Sequence, residues 1–391
     1  MMIVQGTYAP LRKSKFPKFM PDSVMTLWFL TCCFCVQVFP QSNPKFDVNL
    51  LLNYSAAEQT IQLYEDQPVN TQALAELRGN RIAASTAGFI ADRRSVQHLL
   101  QSYLDSLKYH QIIRDDMYHL EEARESVADI KELLNEIKKR NFNRRVVATV
   151  EQIFPQDVEV RTMIPVYVVA LGHENVDAFV RRIKWQGNAP QFVGEDEGEL
   201  TIVVNLAHAV DYAPTLEERF ISLLGVVAHE VFHAAFGVYK ENSPTWRRYY
   251  RRHGSPFHHL LELTQNEGIA YYLSLDQRGR GYLPRDWYNQ TREVFVTFNK
   301  NALELLSDSL TPHRASEIIR TSNLSGYWES FGSMTGMFIA REIDLRMGRT
   351  ALIETIANGP LDIFQKYISL TNQDSNLPTL KADLVRVINQ N

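Results

Sequence analysis

The pentapeptide His229-Glu230-Val231-Phe232-His233 constrains this chain more than any other segment. Residues four apart lie on one helical face, so its two imidazoles can converge on a single ion. Glu230 is about 100° further round the axis, beside that ion and not on it. A carboxylate there can take a proton from metal-activated water. The preceding run Leu223-Leu224-Gly225-Val226-Val227-Ala228 is apolar, which predicts a buried helix. Two histidines and a glutamate on a buried helix need partners, and a metal satisfies them together. A random chain with 11 histidines in 391 residues would show this HExxH pattern roughly 0.02 times. Thr215 and Glu218 form a capping box at the predicted start, and Gly237 is the expected stop.

Zinc needs a third protein ligand and an open fourth position for catalysis. The extended form HExxHxxGxxH fails, since Phe236 and Tyr239 occupy the places of its glycine and histidine. The best candidate is Glu267, on a second predicted helix 34 positions after His233. Gly268 and Ala270 beside it would let that helix approach the first closely. His258, His259 and Glu262 on the same stretch compete for the role.

Around this pair of helices the pattern is mixed. Phe46 to Phe154 reads as helical, most clearly where Met117, Leu120, Ala123, Val127, Ile130, Leu133, Leu134 and Ile137 recur. After Pro155 two strands are expected, Val158–Leu171 and Leu200–Leu206, with a short helix at Val176–Ile183 between them. From Thr215 onward nearly everything is helical. The expected class is α+β and mainly helical, with a small sheet packed on the HExxH helix. The expected division is residues 1–41, a signal peptide; 42–154, a helical packing region; and 155–391, the domain with the chemistry.

The first division rests on Arg12, Lys13, Lys15 and Lys18, followed by an apolar run from Val24 to Phe39 and then Gln41-Ser42-Asn43-Pro44. Basic, then apolar, then polar is the order of a secretory signal. All three cysteines (Cys32, Cys33, Cys35) fall inside it, so disulfides cannot stabilise an exported chain. An N-terminal anchor or lipidation is the rival expectation. Removing residues 1–41 takes away those four basic residues and Asp22, moving the formal charge from -4 to -7. An acidic chain is a poor generic polyanion binder. The basic and aromatic stretch Trp246–His253 is therefore expected to be a solvated loop or helix over the active-site cleft, and not a nucleic-acid contact. No run reaches the ~18 apolar residues of a spanning helix, so no stable membrane span is expected in the mature chain.

His229-Glu230-Val231-Phe232-His233 followed by Asn266-Glu267-Gly268-Ile269-Ala270 resembles the gluzincin zinc metallopeptidases. The resemblance implies His229, His233 and Glu267 as ligands of one zinc ion and Glu230 as general base. A second block, Gly326–Asp344 with Gly348-Arg349 and Gly359-Pro360, is similar to a little-characterised group of bacterial zinc-dependent proteases, over roughly residues 150–375. The Gly-x-Met-Glu-Asn motif of one gluzincin aminopeptidase class is absent, with Gly198–Asn205 on the strand where it would lie. The expected activity is hydrolysis of peptide bonds by metal-activated water on a peptide or protein substrate. Tyr327 is the candidate oxyanion donor, with His258 and His259 as rivals. Asn205, on an expected edge strand, is the candidate aligner of the substrate backbone. The reading of a different class is a catalytically silent zinc-binding or scaffold protein of the cell envelope.

Overall fold

Alternation of apolar and polar side chains builds the first strand, near-continuous apolar runs build the interior strands, and helical periodicities surround them. A computed structural model describes residues 45–90, 97–171, 178–193, 198–278, 286–324 and 328–390. The expected signal segment, its three cysteines and Tyr327 lie outside the described residues. The strands are β1 (Phe46–Asn53), β2 (Val160–Val169), β3 (Ala178–Gln186), β4 (Ala189–Phe192) and β5 (Glu199–Asn205). Before the second strand come α1 (Ser55–Tyr64), α2 (Thr71–Glu76), α3 (Arg78–Ile90), α4 (Gln97–Lys108), α5 (Leu120–Glu125), α6 (Val127–Lys139) and α7 (Phe142–Glu151). After the last strand come α8 (Leu206–Ala209), α9 (Leu216–Asn242), α10 (Pro244–Arg252), α11 (Pro256–Arg278) and α12 (Trp287–Glu304). The chain closes with α13 (Pro312–Leu324), α14 (Phe331–Met347), α15 (Arg349–Asn358), α16 (Pro360–Gln373) and α17 (Ala382–Gln390). With 67% helix and one five-stranded mixed sheet, the class is α+β and mainly helical, as expected.

The strand order is β1-β2-β5-β3-β4. β1, β2 and β5 run parallel, with Leu50 opposite Ile164 and Val166 opposite Ile202. β3 is antiparallel to both β5 and β4. One face presents Val48, Leu50, Ile164, Val166, Val168, Ile202 and Val204 to the main core, which also holds Phe220, Val227 and Phe232 of α9. The other face carries Tyr167, Val169, Ile183 and Val203 against Ala56 of α1 and Ile82 of α3.

Four sequence expectations are corrected. The region from Phe46 does not begin as helix: Phe46, Val48 and Leu50 are buried while Asp47, Asn49 and Leu51 are exposed, and this alternation forms β1. Since β1 pairs with β2 along its whole length, the sheet joins the chain on both sides of Pro155. The helix expected over Val176–Ile183 is not found over its described residues, 178–183. Ala178–Gln186 forms β3, which turns at Gly187 (φ +61°) into β4 and pairs with β5, and these tertiary partners override the local signal. Nor does Gly237 stop α9. The helix runs on to Asn242 and ends where Ser243 caps α10 and Pro244 opens it. Finally, β5 lies between β2 and β3, so the strand bearing Asn205 is interior and not an edge.

α9 starts at the expected cap residue, with Glu218 taking the Thr215 hydroxyl in place of the backbone N–H of a capping box. The Thr215 hydroxyl oxygen accepts from the Glu218 amide at 3.3 Å and donates to the Glu218 carboxylate at 2.7 Å. α9 is long and apolar enough to cross a membrane by composition, but 78% of its most apolar window is buried in the core. α10 is a helix with Trp246 wholly buried. The Trp246 ring N–H donates to the Ile356 carbonyl at 2.8 Å, and the Tyr249 hydroxyl donates to the His258 carbonyl at 2.9 Å. Those contacts fix it against α15 and α11, with Arg247, Arg248, Arg251 and Arg252 exposed.

Candidate metal centre

His229 and His233 stand one turn apart on α9, and their Nε2 atoms are 3.0 Å apart. Glu267 reaches them from α11, its Oε2 lying 3.4 Å from His233 Nε2 and 3.7 Å from His229 Nε2. In a tetrahedral zinc site with bonds near 2.0–2.1 Å, ligand atoms sit about 3.3 Å from one another. The three observed separations bracket that spacing. The residues therefore fit a zinc ion, and they are the one such group of three among the described residues.

Burial makes the arrangement costly without a cation. His229 is 5% exposed, Glu230 2% and Glu267 4%. Burial opposes a charge on His233, but the Glu267 carboxylate, helped by Glu230 and a hydrogen bond to Asn266, raises it to about 9. Burial likewise pushes the Glu267 carboxyl up, yet the imidazoles of His233 and His229 hold it below the ordinary carboxylate range. The pocket thus favours positive charge at the point where the three ligand atoms meet. A divalent cation can take the place of the proton there.

Neighbouring side chains orient the ligands. His233 Nδ1 donates to Asn266 Oδ1 at 3.0 Å, which leaves the Nε2 lone pair facing the site. The Tyr271 ring meets His229 edge to face, with centroids 4.7 Å apart, and limits rotation of that imidazole. Glu230 is buried beside the ligand face, and its field reaches both His233 and Arg181 of β3. Burial lowers the Arg181 guanidinium to about 10, against the Glu230 carboxylate, which favours its charged form. The sequence reading assigns no role to Asn266, Tyr271 or Arg181, although Asn266 belongs to the motif that carries the gluzincin resemblance. Asn266 and Tyr271 were visible in principle as the residue before Glu267 and the residue one turn after it. Arg181 was not, because its strand was read as helix.

The rival ligands lie elsewhere. Glu262 accepts from Lys240 Nζ and from the Tyr250 hydroxyl, each at 2.6 Å. His258 stacks on His253 at 4.4 Å between centroids and pairs with the Ser255 hydroxyl at 2.8 Å. The His259 side chain is 47% exposed and lies near Glu262. Asn205 is 3% exposed, and its Oδ1 accepts from the Ala207 amide as the cap of α8. That cap, together with the interior position of β5, leaves Asn205 without the edge geometry expected for a substrate aligner.

Residues 48–376 match the family described as "Putative zinc dependent peptidase (DUF5700)". The chain belongs to this family. The match begins inside β1, far ahead of the expected start near residue 150, and ends just beyond α16. It therefore takes in the N-terminal helices as well as the metal centre. No curated protein and no solved structure matches the chain.

Proposed function

We propose that this chain is a zinc metallopeptidase of the gluzincin type, with His229, His233 and Glu267 holding one ion and Glu230 as general base. The observation that carries this reading is the meeting of two Nε2 atoms and one carboxylate oxygen at tetrahedral spacing, with a further buried carboxylate beside them. A bound zinc ion supplies Lewis-acid polarisation of the scissile carbonyl and activation of water. Glu230 accepts the proton of the attacking water and delivers it to the departing amine nitrogen. Asn266 and Tyr271 keep the two imidazoles directed at the ion throughout. Two neutral imidazoles and one carboxylate leave the centre with one formal positive charge.

The test is metal analysis of the purified full chain together with digestion of a peptide library. The expected result is close to one zinc per chain and cleavage that stops when the metal is chelated and resumes on adding zinc. Zinc binding without cleavage of any peptide would instead favour a silent scaffold, and full cleavage by metal-free protein would end the metallopeptidase reading.

A further inference from the structure

α11 carries Glu267 and lies between α9, which carries the histidines, and α14, which supplies none of the ligands. Gly268 serves the crossing of α11 with α14 and not, as expected from the sequence, the approach to α9; at that crossing the two backbones touch. A Cβ built on Gly336 would fall 1.8 Å from the Thr264 carbonyl oxygen and 2.9 Å from the Gly268 Cα. One built on Gly268 would fall 2.2 Å from the Gly336 carbonyl carbon and 2.6 Å from the Met337 nitrogen. Every one of these neighbours is backbone, so no side-chain rotation relieves the contact. Any side chain at Gly336 must move one helix off the other.

That movement reaches the metal centre directly. Glu267 adjoins Gly268, the residue at the crossing, so the Glu267 backbone travels with it. On its other side α11 is held against α9, where a Cβ on Gly225 would lie 3.1 Å from the Ser274 carbonyl oxygen. Glu267 thus sits in a helix pinned from two directions, and its 3.4 and 3.7 Å approaches to the histidines depend on both. We propose that Gly336 is a positioning residue for the metal centre, setting through Gly268 the distance at which Glu267 meets His229 and His233. This inference rests on the ligand assignment above. Gly336 lies about 70 residues beyond Glu267, on an element that supplies no ligand, and it acts through close helix packing and not through chemistry.

The experiment compares wild type, Gly336→Ala and Gly332→Ala by zinc affinity and by the visible spectrum of the cobalt-substituted protein. Gly332 lies one turn earlier on α14, and its Cβ would meet the Ser322 side chain of α13 at 3.0 Å, not α11. Both substitutions raise intrinsic helix propensity, so a selective effect on the metal reports the crossing. Gly336→Ala is expected to weaken zinc binding about 10–100-fold, as loss of ligand orientation does, and to alter the tetrahedral cobalt absorption. Gly332→Ala is expected to keep both. If Gly336→Ala does not fold, Ala340→Val, one turn further along the same face, is expected to give a several-fold loss with the same spectral change. Wild-type affinity and an unchanged cobalt spectrum in whichever of these variants folds would overturn the positioning role. Wild-type protein that binds no zinc would overturn the ligand assignment first, and this inference with it.

Discussion

Asn266 and His233 form a hydrogen bond of 3.0 Å between an amide oxygen and Nδ1, on the side of the imidazole away from Glu267. The bond selects the tautomer that frees Nε2 for a metal. Its donor and acceptor come from two helices, so it also ties α9 to α11 at the centre. Asn266→Ala should weaken zinc binding about 10–100-fold while the fold persists. Competition with a chelator of known affinity measures this, and an unchanged constant would show that packing alone orients His233.

Glu230 is buried next to the ligands but points to no role in holding the ion. Glu230→Gln should therefore retain zinc and lose peptide cleavage by about 10²-fold or more. A zinc-loaded variant with wild-type turnover would remove Glu230 from the mechanism.

Glu262 and Glu267 lie on the same helix and face different partners. Glu267→Ala should lose most of the bound zinc, whereas Glu262→Ala should retain it, because Glu262 is engaged by Lys240 and Tyr250. Metal content after gel filtration distinguishes the two. Equal retention by both variants would place the third ligand elsewhere.

Glu262 also predicts an acid limb of stability. Burial works against its ionisation, but Lys240, with His259 and Tyr250, brings the carboxyl from 4.5 down to about 2. A depressed folded-state value means that the stabilisation is fully present above about pH 4.5 and is lost as pH falls through about 2. Its size is on the order of 3 kcal/mol. Thermal unfolding followed from about pH 6 to about pH 2 should fall more steeply for wild type than for Glu262→Gln. Parallel curves would falsify the assignment.

Export is the last expectation, carried by the basic, apolar and polar order of the first residues. Mass spectrometry of protein recovered from the producing cells should find its N-terminus near Gln41. An intact first segment on protein in the cytoplasmic fraction would count against it.

Residues close together in the chain made much of the centre legible. HExxH encodes its own geometry, since four residues in a helix are one turn whatever surrounds them. The Thr215 cap on the Glu218 amide is equally local, and it forms at the expected position. Glu267 was legible as the best of several acids and histidines on α11 only through its small neighbours and the gluzincin resemblance, because a lone glutamate has the same local signature whether it faces solvent, a lysine or an ion.

By itself, then, the sequence determined the metal helix, its two histidines, the adjacent carboxylate and the mainly helical class, because helical periodicity and capping are short-range physics. Tertiary structure decided the rest. Pairing with β2 and β5 made strands of Phe46–Asn53 and Ala178–Gln186, and pairing partners are not encoded at either position alone. Packing brought Glu267, and not Glu262, His258 or His259, to the two histidines by turning one face of α11 toward α9. The contact of Gly336 with Thr264 and Gly268 then holds that face in place, through a separation that only two folded helices can define.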